Sequence, residues 1–247
     1  MTADRVSGAL HPDLLASDAH VFVDDVAAPV LDSEDEVHLL RALRLRPGAM
    51  VTVSDGRGRW RRCRLGAGGL LEPDGHQIDD PRRAPPVVIA AAIPKGDRLD
   101  WMVQKLTEIG ADRIVLMRTD RGVVSWDRAR EASALARLAR IVRQAAMQSR
   151  RTWLVELPSV RTAFELAAEP GAALAVPGSM DRPLPSSTVL VGPEGGWTQR
   201  EIEASANHVG LGGTVLRVET AALVACTLLV HARASGPIDL SQENHSW

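Results

Sequence analysis

One stretch near the C-terminus, residues 189–201, restricts the fold of this chain more than any other. An apolar run at residues 189–191 stops in a loop of proline, glutamate and three glycines at residues 192–196. A short, β-rich apolar run is typical of a buried strand. Thr198 and Glu201 have the spacing of a capping box, which predicts that a helix begins there. Such a loop either points its backbone N–H groups at a ligand or is only a tight turn that binds nothing.

The length and composition of the chain limit its class. Its 247 residues suffice for one large domain or two smaller ones, with a sizeable core. No apolar stretch is long enough to span a membrane, and the N-terminus lacks the pattern of a signal peptide. Cys63 and Cys226 are isolated in the sequence. We therefore expect reduced thiols, no metal site, no membrane partner and a cytoplasmic location.

The first 78 residues predict a small β-barrel module. The predicted elements are strands at residues 20–23, 50–54 and 60–65, a hairpin turn at 55–58 and a helix at 34–45. Short strands joined by tight turns around one helix are typical of such a module. Helical spacing places Val37, Leu40 and Leu43 on one face of the helix, which we expect to be its apolar face.

This module carries a concentrated positive charge. Eight arginines lie within 24 residues, opposed there only by Asp55: Arg41, Arg44, Arg46, Arg57, Arg59, Arg61, Arg62 and Arg64. Such a cluster suits phosphate groups, and Trp60 offers a face on which a base could stack. A solvated arginine-rich surface without a ligand has the same pattern. The net charge of −2 does not by itself indicate a nucleic-acid binder.

A polar, proline-containing segment at residues 79–86 is the predicted linker, and the pattern changes after it. The predicted strands are residues 87–93, 114–117, 153–155, 172–176, 189–191 and 213–218, and the predicted helices are 98–109, 128–150, 161–168 and 220–233. This alternation is typical of an α/β domain with a mainly parallel sheet. Such sheets bind ligands at the carboxyl ends of their strands, where the loop at residues 192–196 lies.

The glycine-rich loop does not match the common nucleotide-binding motifs. No Gly-Lys-Ser/Thr follows it, and no G-x-G-x-x-G opens an early βαβ unit, so ATP and NAD are not supported. The chain also lacks G-x-S-x-G, and its histidines are scattered, which gives little support to Ser/His/Asp catalysis.

A second informative stretch covers residues 211–221. Arg217 lies in the predicted strand at residues 213–218 and is followed closely by Glu219. Because a buried arginine is rare unless it is paired, we expect Arg217 to contact Glu219, Glu194 or an anionic ligand. A structural ion pair at the end of the strand is the alternative.

These two stretches together resemble the paired C-terminal motifs of the RsmE family, the 16S ribosomal RNA (uracil-N3) methyltransferases of the SPOUT class. The similar segments are GPEGGWT at residues 192–198, LGGTVLRVETA at 211–221, HLLRALRL at 38–45, KGDR at 95–98, QKLTEIG at 104–110 and QAAMQSR at 144–150. The chain differs from the family pattern in two places. Its first ten or so residues lack an aromatic- and arginine-rich start, and Trp197 stands where smaller or aliphatic residues are frequent.

The resemblance implies a fold and a function. It implies a PUA-like β-barrel at residues 1–78, the linker at 79–86, and a SPOUT methyltransferase domain with a deep trefoil knot at 87–247. S-adenosylmethionine would be the cofactor, 16S ribosomal RNA of the small ribosomal subunit the substrate, and the protein would be a homodimer. A SPOUT ribose 2′-O methyltransferase and a non-catalytic RNA-binding assembly factor remain as alternatives. Nucleoside mass spectrometry distinguishes methylation of the base from methylation of the ribose and so tests the first alternative. Failure to bind S-adenosylmethionine would favour the second.

The resemblance also implies the site residues. The expected cofactor residues are Val176, Gly192, Pro193, Glu194, Gly195, Gly196, Leu211, Gly212, Leu216, Arg217, Glu219, Thr220 and Ala221. The expected RNA contacts are Arg41, Arg44, Arg57, Arg59, Arg61, Lys95, Lys105, Gln148 and Arg150. Because N3 of neutral uracil carries a proton, we expect Glu194 to act as the catalytic base and Arg217 to face the developing oxyanion.

Overall fold

The computed structural model describes residues 10–179 and 187–235 of the chain. These residues divide into two compact units, one within residues 1–83 and 137–155, and the other within 84–136 and 156–247. The extreme N-terminal start that differs from the family pattern lies mostly outside the described residues, as do the last residues of the second predicted domain.

The first unit is built on a five-stranded sheet. Its elements in chain order are helix α1 (Pro12–Ala16), strand β1 (Ala19–Phe22), helix α2 (Ser33–Val37), a π-helical turn (His38–Ala42), strands β2 (Met50–Ser54) and β3 (Arg59–Leu65), a 3-10 turn (Ala67–Gly69), and strands β4 (Leu71–Pro73) and β5 (Ile78–Asp79). Strands β1 and β2 are parallel, and the pairs that β3 forms with β2, β4 and β5 are antiparallel. The three predicted strands and the hairpin turn between β2 and β3 are confirmed.

The helix predicted at residues 34–45 is interrupted by the π-helical turn. Leu39 is fully buried, whereas Val37 and Leu43, which were predicted to share an apolar face, are exposed. Leu40 is only partly buried. The predicted face was wrong because a period of 3.6 residues does not continue through a wider π-helical turn.

Residues 137–155 belong to the first unit, which differs from the predicted boundary. Ala146 and Met147 are buried in the core of this unit. His20 bonds at its Nε2 to the carbonyl of Arg151 and at its Nδ1 to the hydroxyl of Thr52, both at 2.9 Å. Burial lowers the pKa of His20 to about 4, so the ring is neutral at pH 7. These contacts join residues far apart in sequence, and a local pattern could not predict them.

The second unit is built on a six-stranded parallel sheet. Its elements are β6 (Val88–Ala92), α3 (Arg98–Ile109), β7 (Arg113–Arg118), α4 (Arg128–Gln148), β8 (Arg161–Thr162), α5 (Ala163–Ala167), β9 (Ala172–Ala175), β10 (Thr188–Val191), α6 (Gln199–Ala204), β11 (Asn207–Val209) and α7 (Val218–Ser235). The second half of α4, residues 137–148, groups with the first unit. The strand order is β11-β9-β10-β6-β7-β8. The predicted α/β fold with a mainly parallel sheet is confirmed.

Two strand predictions in this part of the sequence were wrong, and two short strands, β8 and β11, were missed. Residues 153–155 form only an isolated bridge between Arg57 and Trp153. Residues 213–217 form an irregular loop, in which Val215 is 86% exposed. Strand β11 was not predicted. A β-rich composition indicates a strand only where a neighbouring strand is available for pairing, and the sequence does not show that neighbour.

The register of the parallel sheet sets the position of the candidate site. Val191, the last residue of β10, pairs with Ala175, the last residue of β9. The loops that follow these two strands therefore begin side by side at one edge of the sheet. Among the described residues, no helix combines the length and the apolar character that crossing a membrane requires.

Candidate active site

A cavity lies at the carboxyl ends of β9 and β10. Three segments line it: residues 175–177 after β9, residues 191–197 after β10, and residues 211–221 at the start of α7. Most of the lining is apolar side chain, glycine and proline, and Glu194 is the one charged side chain among the described lining residues. The cavity therefore combines apolar walls, accessible backbone and a single carboxylate.

Trp197 joins two of the three segments. Trp197 is buried, with 8% relative exposure, and its Nε1 donates a hydrogen bond of 2.9 Å to the carbonyl of Ala175. A Cβ atom on Gly192 would lie 2.7 Å from the indole ring, which is closer than real Cβ contacts come. Glycine at position 192 is therefore required for the ring to pack against the backbone of the loop.

The loop after β7 supports the glycine-rich loop from the other side. Arg121 donates hydrogen bonds to the carbonyls of Gly195 at 3.2 Å and Trp197 at 3.1 Å. The backbone N–H of Asp120 donates to Glu201 at 3.0 Å, and the hydroxyl of Thr198 lies 2.9 Å from the carboxylate of Asp120. The predicted capping box of Thr198 and Glu201 at the start of α6 is confirmed. The protein's own side chains and backbone thus hold the loop in place.

The charged groups next to the cavity form a small cluster. Nη1 of Arg98 lies 3.2 Å from Oε1 of Glu194 and 3.6 Å from Oε1 of Glu219. Glu194 is half-exposed, whereas Glu219 is buried. Oε2 of Glu219 has no hydrogen-bond partner among the described residues. One guanidinium therefore faces two carboxylates, one from the glycine-rich loop and one from the first turn of α7.

Comparison with known proteins places this chain in a family. The family model of the RNA methyltransferase domain matches residues 82–230. The ribosomal RNA small subunit methyltransferase E of Mycobacterium bovis is 35% identical over 226 residues, which cover 82% of this chain and 86% of that protein. The chain belongs to this methyltransferase family.

Solved structures similar to the chain include a methyltransferase E and a probable rRNA-methyltransferase. The ribosomal RNA small subunit methyltransferase E of Neisseria gonorrhoeae, solved bound to S-adenosyl methionine, is 27% identical with a TM-score of 0.68, and the match covers 84% of this chain and 94% of that one. A probable rRNA-methyltransferase from Porphyromonas gingivalis is 25% identical with a TM-score of 0.73, covering 88% of this chain and 99% of that one.

The structure gathers most of the predicted cofactor residues around the cavity. Those that line it are Val176, Gly192, Pro193, Glu194, Gly196, Leu211, Gly212, Leu216 and Ala221. The other predicted residues are not among the described lining residues: Gly195, Arg217, Glu219 and Thr220. Gly195 instead accepts a hydrogen bond from Arg121, and Thr220 is exposed. Their role in cofactor binding stays a prediction.

The predicted pairing of Arg217 with a carboxylate was wrong. Arg217 is exposed and has no side-chain partner among the described residues. Arg98 occupies the position beside Glu194 and Glu219 instead. The prediction assumed that Arg217 was buried in a strand, but the segment is an exposed loop. Of the three contacts expected for Arg217, only the anionic ligand remains.

The predicted RNA contacts between residues 41 and 61 fall into two groups. Arg41, Arg44 and Arg57 are exposed, and their guanidinium groups have no partner among the described residues. Arg59 pairs with Asp55, and Arg61 donates to the carbonyl of Gly75. Of the neighbouring arginines, Arg62 and Arg64 both pair with Asp74.

The remaining predicted RNA contacts also differ in their availability. Lys95 and Gln148 are exposed. Lys105 pairs with Glu108 at 2.8 Å, and Arg150 donates to the carbonyl of Ser17 at 2.9 Å.

Trp60 is only 1% exposed, so the prediction that a base could stack on it was wrong. The tryptophan is buried in the first unit, where its ring lies edge-on to the ring of His11 at a centroid distance of 4.9 Å.

Sequence reasoning missed several residues that shape the site. Trp197 was noticed only as a difference from the family pattern, although it follows the glycine loop directly. Arg98 was part of the quoted KGDR segment without a role. Asp120 and Arg121 lie about 75 residues from the loop they support, as the sequence separations of 81 and 74 in their hydrogen bonds show. No local signal identifies such partners.

A methyl group at position 192 should disturb the site through Trp197. We expect Gly192→Ala to lower the free energy of unfolding by about 1–3 kcal/mol, because the added Cβ displaces the indole. Gly213→Ala is the matched control, since nothing lies within 4 Å of its Cβ position. It should change the free energy by less than about 0.5 kcal/mol. Urea denaturation of both variants measures the difference, and equal values would contradict the role given to the Gly192–Trp197 contact.

Proposed function

We propose that this chain uses S-adenosylmethionine to methylate N3 of a uridine in 16S ribosomal RNA of the small ribosomal subunit. The observation that carries the proposal is the cavity whose one charged lining residue, among those described, is the carboxylate of Glu194. A carboxylate next to apolar walls suits a cationic sulfonium ligand. The Mycobacterium bovis relative is named for ribosomal RNA small subunit methylation, and the Neisseria gonorrhoeae relative is bound to S-adenosyl methionine.

The residues of the cavity fit the adenosine part of this cofactor. Val176, Leu211 and Leu216 can pack against the two faces of an adenine ring. Gly192 and Gly212 leave their backbone N–H and carbonyl groups open to its polar edge. When bound, S-adenosylmethionine supplies an electrophilic methyl group on its sulfonium.

The chemistry at uracil requires removal of the N3 proton. We assign this step to the carboxylate of Glu194, which is half-exposed at the cavity. A positioned base contributes about 10²–10⁴-fold to the rate. Deprotonation spreads negative charge onto the flanking carbonyl oxygens of the base. Arg217, exposed in the neighbouring loop, is assigned to stabilise that charge.

The first unit supplies the surface that we assign to RNA. Its unpaired guanidinium groups, Arg41, Arg44 and Arg57, are suited to backbone phosphates. Because N3 lies on the Watson–Crick edge of uracil, the target base must be unpaired or flipped out of a helix. Phosphate contacts hold the RNA in register, and the cavity of the second unit provides the chemistry.

Three further features belong to the proposal because the family resemblance implies them. The first unit would be a PUA-like barrel, the second a SPOUT domain with a trefoil knot, and the protein a cytoplasmic homodimer. Ala222 and Cys226 of α7 are fully buried within their own unit, and Leu228 on the same helix is 41% exposed. Leu228 is thus available to a second copy. A sedimentation experiment that finds only monomer would contradict the dimer, and an experimental chain trace without a threaded loop would contradict the knot.

Substitution of Arg217 tests the chemical assignment. We expect Arg217→Ala to lower kcat by about 10²–10³-fold, as loss of an oxyanion partner does. The dissociation constant of S-adenosylmethionine, measured by calorimetry, should stay within about threefold, because Arg217 is not among the described residues that line the cavity. Glu194→Gln should also lower kcat. If Arg217→Ala loses turnover and cofactor affinity equally, then Arg217 is a cofactor-binding or structural residue.

Paired and unpaired arginines give a matched test of the RNA surface. Arg57→Gln should weaken binding to 16S ribosomal RNA and reduce the slope of log K against log salt by about one. Arg64→Gln removes the same charge from a position that is also exposed, but Asp74 lies 3.1 Å from that guanidinium and already offsets it. We expect little change for this variant in filter-binding titrations. Equal weakening by both variants would show that the unpaired groups have no special role.

A further inference from the structure

Arg98 connects three segments of the second unit at the edge of the cavity. It is the first residue of α3, and its two carboxylate partners lie in the glycine-rich loop and in the first turn of α7. Its Nε also donates a hydrogen bond of 3.2 Å to the carbonyl of Lys95. The guanidinium is therefore held by the loop before α3 and by Glu219 while it contacts Glu194.

The place of Arg98 in its helix is unfavourable on local grounds. A cation at a helix N-terminus opposes the helix dipole, at a cost of about 0.3–1 kcal/mol. Asp97, the N-cap residue of α3, makes no side-chain capping bond that would offset it. The two carboxylates supply the compensation instead. The negative charge of Glu219, in the first turn of α7, is the charge that the dipole of that helix favours at its N-terminus.

Glu219 and Glu194 depend on Arg98 in different ways. Glu219 is 7% exposed, and a carboxylate at that depth is costly unless it is paired. Arg98 is the charged partner of Glu219 among the described residues, and Glu219 thereby fixes where the guanidinium lies. Glu194 is 45% exposed at its side chain, and Arg98 is also its partner among the described residues. Without this contact, the Glu194 side chain would be free to change rotamer.

We propose that Arg98 is a positioning residue for methyl transfer, which holds the carboxylate of Glu194 in the orientation that its reaction with uracil requires. Glu219 and the carbonyl of Lys95 anchor the guanidinium, and the guanidinium in turn anchors Glu194. This role rests on the proposed function of the same cavity. Misplacement of a reacting group by about 1 Å costs about 10²-fold in rate, so the contact matters although Arg98 itself does not touch the reacting atoms.

The test is a double-substitution cycle in the full-length protein. Arg98→Gln should lower kcat by about 10–10²-fold, while the KM for S-adenosylmethionine changes by less than about threefold. The same substitution in a Glu194→Gln background should lower kcat no further, because Arg98 acts through the carboxylate that is already absent. Full additivity of the two losses would overturn the proposal.

A second variant separates this role from folding. Arg98→Gln leaves the buried carboxylate of Glu219 without its cation, which is destabilising. In Arg98→Gln/Glu219→Gln that uncompensated charge is removed, so Tm should rise again. The kcat should nevertheless stay as low as in Arg98→Gln alone. Recovery of kcat together with Tm would show that Arg98 serves only to neutralise Glu219.

Assays of the wild-type protein distinguish failure of the proposed function from failure of the positioning role of Arg98. If it binds S-adenosylmethionine and methylates 16S ribosomal RNA, the variants decide the role of Arg98 alone. If the wild-type protein neither binds the cofactor nor transfers a methyl group, the proposed function is refuted, and the positioning role is refuted with it.

Discussion

The contact between Trp197 and the backbone of Gly192 is the constraint on which the cavity depends. The indole packs where a side chain on residue 192 would stand, and its N–H reaches the carbonyl of Ala175 on the neighbouring strand. The parallel register brings these two strand ends together, and the indole then fixes the loops that leave them. Arg121 and Asp120 complete this support from the loop after β7. A rigid, open backbone surface results, as close binding of a flat ligand requires.

Charge is distributed differently in the two units. In the first unit, Asp55 and Asp74 already offset several arginines, so the exposed surface is less basic than the arginine count suggests. In the second unit, two carboxylates face one guanidinium beside the cavity. The first arrangement leaves a few free guanidinium groups for a polyanion, and the second presents a carboxylate to a cationic ligand. Both match the substrate and the cofactor that we propose.

Local patterns predicted the elements whose signals lie within a few residues. The hairpin turn between β2 and β3, the bounds of α3 and the capping box of α6 are of this kind. The predictions failed where a distant partner decides the structure. Residues 213–217 have a strand-like composition, but no strand pairs with them, and the loop exposes Arg217. The π-helical turn likewise changes which leucine is buried, and composition gives no sign of it.

The candidate site shows the same division. The sequence identified the glycine loop and its partner segment, because their residues are contiguous and characteristic. It did not identify Arg98 as the partner of Glu194, since 96 residues separate them in the chain. The candidate cavity was thus predictable from motifs, whereas the contacts that Arg98 makes with Glu194 and Glu219 became evident only in three dimensions.

Methylation of small ribosomal subunits that lack the modification tests the proposed function most directly. The purified protein would be incubated with these subunits and isotopically labelled S-adenosylmethionine, and the 16S ribosomal RNA would be analysed by nucleoside mass spectrometry. We expect the label in N3-methyluridine at a single position. Label on a ribose 2′ oxygen, or no incorporation by protein that is shown to be folded, would contradict the proposed function.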